Sequence, residues 1–174
     1  MKPFILVEQS VFFSHLNVRA EANGDEPVGA ADLKLRWDTP NESLAMFDDR
    51  LLSTFYTEDV AADLADQGRK TALAFPCIAQ PLKLKDEFPN FRVTVHYGVS
   101  GNDVVLSDCK VNNFSLEMLQ GGTVKIGMRV QCHPSEHDVG RLYGMQKREI
   151  SVTIQKEPQL QAHIEDKSAD GEPF

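Results

Sequence analysis

Apolar and polar residues alternate over long stretches of the chain, a pattern typical of β-strands that turn one face to a core. The alternation is regular in residues 28–38, 91–97 and 150–154, and a shorter example covers residues 82–85. It is clearest in residues 123–132, where the apolar positions are Val124, Ile126, Met128, Val130 and Cys132. The pattern therefore predicts a protein built mainly from β-strands.

Two longer strands are predicted as well. Residues 3–21 form a first strand with a bend, and a turn over residues 23–27 pairs it with residues 28–38 as a hairpin. Residues 104–118 form another strand, in which the alternation changes phase at residues 112–113. Because an inserted residue shifts the phase of a strand, this change indicates a β-bulge.

Two segments repeat their apolar residues at helical spacing instead. The first covers residues 42–56, and Asn41 before it is expected to cap the free backbone N–H groups. The second begins after Ser135, a favourable N-cap, and ends at Lys147 and Arg148, whose positive charge suits a helix C-terminus. Each helix is expected to pack one apolar stripe on the sheet.

These elements predict a mainly antiparallel β protein with two helices. An OB-like, partly closed β-barrel is favoured, because closure removes exposed strand edges and leaves a grooved face. A two-layer α+β sheet with both helices on one face is the alternative. The domain division follows from composition: residues 1–158 form the β-rich body, and residues 159–174 form a disordered acidic tail.

Acidic residues outnumber basic ones, 26 to 18, which gives a formal net charge of −8. Residues 1–158 keep 22 acids and 17 bases, so nucleic-acid binding requires bases gathered on one face. No apolar run is long enough for a membrane helix, and the apolar start is too short for a signal peptide. Three scattered cysteines, Cys77, Cys109 and Cys132, indicate reduced core thiols of a cytoplasmic protein.

Several predicted strands carry bases at outward positions, and aromatic residues lie close to them in sequence. Cations that follow phosphates, combined with rings that stack on bases, are what non-specific binding of single strands requires. The candidate DNA-binding residues are Lys34, Arg36, Trp37, Lys83, Lys85, Arg92, Tyr97, Lys110, Lys125 and Arg129. Strict alternation turns the aromatic rings away from the bases, so a solvated sheet face over an aromatic core is the alternative interpretation.

The last ten residues combine four carboxylates with a terminal aromatic residue, and Asp170, Glu172, Pro173 and Phe174 end the chain. This ending resembles the acidic tip of bacterial and phage single-stranded-DNA-binding proteins. The resemblance implies an OB-fold body that holds DNA, and a tip whose four residues named above dock replication and recombination enzymes. It also implies the cytoplasm of a bacterial host.

The predicted function is therefore a single-stranded-DNA-binding protein that coats DNA and recruits replication or recombination enzymes. An acidic adaptor or inhibitor, which occupies a basic site on a partner protein without DNA affinity, is the alternative. The sequence contains no nucleophile elbow, phosphate-binding loop or dinucleotide fingerprint, so no enzyme and no cofactor is expected. Cys132, His133 and His137 lack a paired cysteine motif, so no metal site is expected. The oligomeric state is open, with a homo-oligomer among the options.

Overall fold

A computed structural model describes residues 4–99 and 101–158 of the chain. Within those residues the strands are β1 (Leu6–Asn23), β2 (Glu26–Pro40), β3 (Tyr56–Glu58), β4 (Lys70–Leu73), β5 (Leu82–Lys83), β6 (Phe88–His96), β7 (Val104–Met118), β8 (Thr123–Cys132) and β9 (Arg148–Lys156). The helices are a 3₁₀ helix (Asn41–Met46), α1 (Leu51–Phe55) and α2 (Glu136–Gly144). The predicted tail, residues 159–174, lies outside the described residues, and so does its tip.

Six of the described strands close into an antiparallel barrel in the order β7-β6-β9-β1-β2-β8. The barrel closes because β7 pairs with β6 and also with β8. β5 adds a strand beside β7, and β3 and β4 form a separate two-stranded sheet. The prediction of a mainly antiparallel barrel with helices is confirmed and is compatible with an OB-like fold. In residues 4–99 and 101–158 the strands form this barrel and not the alternative two-layer sheet.

Alternating side chains of the strands fill the barrel interior. The inward residues predicted for β8 are all buried, none of them more than 3% exposed. Five phenylalanine rings pack together in the core, with centroid separations of 5.1 to 6.5 Å for neighbouring pairs. These rings are Phe4, Phe47, Phe88, Phe91 and Phe114. Burial of so much aromatic surface stabilises the barrel strongly.

The helix predicted over residues 42–56 is broken in two. Between the 3₁₀ helix and α1, Asp48 accepts hydrogen bonds from the backbone N–H and the guanidinium of Arg50. The predicted cap at Asn41 was also wrong, because Asn41 is buried and its Nδ2 donates to the carbonyl of Lys70 at 2.7 Å. A contact 29 residues away in sequence therefore replaces the expected local cap.

Two other local predictions are confirmed. Ser135 caps α2, since its hydroxyl accepts a hydrogen bond of 3.1 Å from the backbone N–H of Asp138. The bulge in β7 lies where the alternation changes phase: the register with β8 shifts between Asn112 and Ser115, and Asn113 has φ of 55°. Both features depend only on neighbouring residues, which is why the sequence pattern reveals them.

The cysteine prediction holds for two of the three thiols. Cys109 and Cys132 are buried in the barrel, whereas Cys77 is exposed in the segment before β5. Contact with the Cys109 thiol and burial raise the pKa of Cys132, so its thiol stays protonated. None of the helices in the described residues has the length and apolar character needed to cross a membrane.

Candidate nucleic-acid interface

Strand pairing brings bases from distant parts of the chain together on the outside of the barrel. β2 and β8 are neighbours, and in their register Lys34 lies opposite Arg129. Two residues after Lys34 in β2, Arg36 lies opposite Gly127 of β8, which has no side chain to cover it. Lys125 follows further along β8 on the same outward side.

The same surface continues across β7 to β5. Lys110 of β7 lies opposite Gln131 of β8, and Lys83 of β5 lies opposite Ser115 of β7. Ser115 in turn lies opposite Gly127. We call this surface the basic face; it consists of Lys34, Arg36, Lys83, Lys110, Lys125 and Arg129. Six of the ten residues predicted to bind DNA therefore share one side of the barrel.

At least half of the six bases of the basic face have no ion-pair partner in the described part of the chain. Among residues 4–99 and 101–158, Lys34, Lys83 and Lys125 form no ion pair. Lys110 does pair with Glu87, at 2.6 Å, and its ammonium holds the pKa of the Glu87 carboxyl below the usual range. Free lysines on a protein surface attract anions such as phosphate.

The bulge in β7 organises the centre of the basic face. Asn112 is 2% exposed although it points outward, because neighbouring polar side chains cover it. Its Oδ1 accepts a hydrogen bond of 3.0 Å from Nε of Arg129, and its Nδ2 donates to Oε1 of Gln131 at 2.9 Å. The Asn112 amide thus holds the Arg129 side chain in place on the face.

A groove of about 550 Å³ adjoins the basic face along β1 and β2. Its lining includes Arg36, Lys125 and Phe12, and the Arg36 guanidinium lies 4.6 Å from the centroid of the Phe12 ring. Asp38 and Glu149 also line the groove, so its charge is mixed. A half-buried ring beside cations is a suitable platform for a stacked base.

Sequence reasoning missed Phe12, because the run from Val11 to Phe13 hides the alternation of β1. Val11 and Phe13 are fully buried in the core, which turns Phe12 to the outside. In the register of β1 with β2, Phe12 lies directly opposite Arg36. The run of three apolar residues in a strand was the available signal, since one of three consecutive side chains must face away from the other two.

The structure corrects the prediction for Trp37. Trp37 lines the groove, but it is only 5% exposed and belongs to the hydrophobic core, so little of its side chain is open for stacking on a base. Alternation along β2 explains the position: Lys34 and Arg36 point outward, and the intervening Leu35 and the following Trp37 point inward.

The remaining three predicted residues are not among the six that define the basic face. Arg92 of β6 is paired with Glu157 at 3.0 Å. Tyr97 follows β6, is 52% exposed and lies under the guanidinium of Arg141, 5.7 Å from its ring centroid. Lys85 is exposed and lies beyond the end of β5. β6 pairs with β7 and β9 and not with β2 or β8, so Arg92 does not lie directly beside the bases of those two strands.

A second polar cluster, around His96, links β6 to β9 and β1. His96 Nδ1 lies 3.1 Å from a carboxylate oxygen of Asp103, and its Nε2 lies 2.8 Å from Oγ1 of Thr153. The same Oγ1 accepts a hydrogen bond from the backbone N–H of Glu8. Glu8 lies at a bulge in β1 and has φ of 46°. Hydrogen bonds from the backbone of Tyr97 and from His96 lower the pKa of Asp103. These hydrogen bonds connect β6, β9 and β1.

The part of the chain that the structure describes contains no group of three or more His, Cys, Asp and Glu side chains arranged to hold a metal ion. Comparisons of the chain with protein-family models, with curated proteins and with solved structures give no match.

Proposed function

We propose that the protein binds single-stranded DNA across the basic face and the adjoining groove. The observation that carries the proposal is the convergence of six bases from β2, β5, β7 and β8 on one side of an otherwise acidic barrel. Phosphates would contact the lysines and arginines, and bases would stack on Phe12.

In this proposal the protein coats single strands, and its tip recruits replication or recombination enzymes. Asp170, Glu172, Pro173 and Phe174 would dock in a pocket with an apolar floor and a basic rim. The support for this part is the sequence of the ending and its resemblance to the tip of bacterial and phage single-stranded-DNA-binding proteins.

The deciding experiment is a fluorescence titration of the full chain with labelled oligo-dT and with duplex DNA, from low to high salt. We expect single strands to bind more tightly than duplex, and affinity to fall as salt rises. Replacing Lys125→Glu and Arg129→Glu together should weaken binding and reduce the magnitude of the salt slope by about 1 to 2. Both side chains face outward, and circular dichroism checks that the fold persists without the hydrogen bond from Arg129 to Asn112.

The matched control makes the same change in charge away from the basic face. Arg148→Glu with Lys156→Glu reverses two exposed bases of β9, and this variant should bind nearly as well as the wild type. Equal losses in both double variants would show a dependence on net charge alone and would contradict the assigned site.

The acidic adaptor is the second candidate, and one segment favours it. Between β3 and β4, Val60 and Leu64 are almost fully exposed, at 102% and 86%, among acidic residues. Exposed apolar side chains flanked by carboxylates suit a basic, partly apolar site on another protein. Absence of oligo-dT binding at low salt, by the full chain and by a chain that ends at Pro158, would overturn the DNA proposal in favour of the adaptor.

A further inference from the structure

β1 and β2 continue beyond the barrel as a two-stranded arm. β1 pairs with β9 only as far as Phe13, and β2 pairs with β8 only from Ala31 onward. Their mutual ladder nevertheless runs on to the pair of Asn23 and Glu26. Residues 17–30 therefore form the arm, which has no third strand beside it within residues 4–99 and 101–158.

One edge of the arm carries unpaired backbone groups. The N–H of Leu16 points away from β2 and donates to Oε1 of Gln146 at 2.9 Å. Because backbone direction alternates along a strand, the N–H and C=O groups of Val18, Ala20 and Ala22 point to the same side. In the described part of the chain no strand pairs with them there. Such an edge is a template for another strand.

The residues along this edge are complementary to themselves. Residues 17–23 read Asn-Val-Arg-Ala-Glu-Ala-Asn, with Ala20 at the centre. If two copies pair antiparallel about Ala20, Arg19 of each copy lies opposite Glu21 of the other, and asparagine lies opposite asparagine at both ends. Opposite charges facing each other across strands stabilise the pair and define its register.

The polar side of the arm already holds these charges in position. Arg19 contacts Glu21 and Asp32 of its own chain, each at 2.6 Å. Contact with the carboxylates of Asp32 and Glu21 raises the pKa of Arg19, and the hydrogen bond from Arg19 lowers the pKa of Glu21. Both residues remain charged, and both lie on one face next to the open edge.

The opposite side of the arm is apolar and faces solvent. Val18 is 50% exposed, and Ala20, Ala22, Pro27 and Gly29 are exposed with it. No charged residue lies on this side of the arm, within the residues that the structure describes. Pairing two arms edge to edge would join their apolar sides into one four-stranded surface.

We propose that two copies of the protein associate through antiparallel pairing of β1 about Ala20, which forms a twofold homodimer. A twofold axis requires a surface that complements itself, and residues 17–23 meet that requirement in charge, in backbone polarity and in register. The arm is separate from the basic face, so this dimer does not depend on the proposed DNA binding.

Cross-linking tests the register. In a background with Cys77→Ser, which removes the exposed thiol, Ala20→Cys places two thiols opposite each other across the axis. Paired residues in antiparallel strands have Cα atoms about 5.5 Å apart, within the range for a disulfide. Oxidised glutathione, which accepts the two electrons as the thiols lose their protons, should convert this variant to a covalent dimer on a non-reducing gel.

Ala22→Cys in the same background is the matched control. In the proposed register Ala22 lies opposite Val18 of the second copy, so the two introduced thiols are about 14 Å apart along the strands. This variant should stay monomeric on the gel. Equal cross-linking of both variants, or none in either, would overturn the proposed pairing.

Analytical ultracentrifugation without DNA gives an independent measurement. Wild type should sediment as a dimer. Ala20→Pro should sediment as a monomer, because proline removes the outward N–H, while the ladder to β2 uses the neighbouring residues. Circular dichroism checks that the variant folds, and Ala20→Val, which keeps the N–H, should remain dimeric. A monomeric wild type at the highest soluble concentration would contradict the proposal.

Discussion

The Phe12 ring and the Arg36 guanidinium lie 4.6 Å apart, and in the proposed function they would provide the two kinds of contact that a single strand requires. Stacking on a ring does not depend on salt, whereas the attraction between a guanidinium and a phosphate weakens as salt rises. Replacing one residue at a time therefore separates the two contributions.

We predict that Phe12→Ala weakens oligo-dT binding by about 1 to 3 kcal/mol and leaves the salt slope unchanged, because a stacking surface is lost and no charge is removed. Phe12→Tyr keeps the ring and should bind like the wild type. The measurement is a titration at several salt concentrations. Full affinity in Phe12→Ala would show that no base stacks on this ring.

Among the elements, β7 is bent by its bulge, which turns Asn112 toward Arg129. The bend requires Asn113 to adopt φ of 55°, a left-handed conformation that asparagine and glycine tolerate and β-branched residues do not. Asn113 is exposed, so its replacement tests the backbone with little change in packing.

Asn113→Val should lower the free energy of unfolding by about 1 to 2 kcal/mol, as expected for a side chain forced into a left-handed conformation. Asn113→Gly has no such steric cost and should stay close to the wild type. Urea denaturation measures both. If valine and glycine at this position give equal stability, the bulge does not depend on the conformation of this residue.

The end of β9 is held to β6 and β7 by one carboxylate. Glu157 accepts a hydrogen bond of 2.8 Å from the backbone N–H of Asp108 and one of 3.0 Å from the guanidinium of Arg92. These hydrogen bonds lower the pKa of Glu157 below the ordinary value of 4.5, and the bond from the backbone of Asp108 has the larger effect. Because the folded state favours the charged form, Glu157 stabilises the fold above that value, and the contribution is lost as pH falls through the lowered pKa.

We therefore expect Glu157→Gln to be less stable than wild type at neutral pH and the difference to shrink below about pH 4 to 5. Urea denaturation across that range measures it. A difference that is constant with pH would mean that the charge of Glu157 does not contribute.

For the whole molecule, charge is distributed unevenly rather than balanced. The chain has a net charge of −8, yet six bases share one side of the barrel and the last ten residues carry four acids. In the proposed function, this separation would let one chain bind an anionic polymer at one surface and a basic partner at another.

In the proposed function, Phe174→Ala should abolish capture of a replication or recombination enzyme and leave oligo-dT binding unchanged. Aromatic anchors dominate small interfaces, with losses of about 2 kcal/mol or more on truncation. The measurement is a pull-down from a bacterial lysate beside a DNA titration. Recovery of the same proteins by wild type and variant would show that the ending is not a docking site.

Local patterns in the sequence are sufficient to predict much of the fold. The alternation of β8, the phase change at Asn112 and the Ser135 cap are all visible in the chain, because each depends on residues within a few positions of one another. The sequence also identifies six bases of the face as outward-pointing. It does not show that they are neighbours.

Only the tertiary structure decided which side chains lie together. Lys34 meets Arg129, and Phe12 meets Arg36, because barrel closure sets the register between strands far apart in sequence. A hydrogen bond to the carbonyl of Lys70, 29 residues away, likewise replaces the local cap predicted at Asn41. Periodicity determines the direction of a side chain from its strand, whereas pairing with distant strands determines its neighbours.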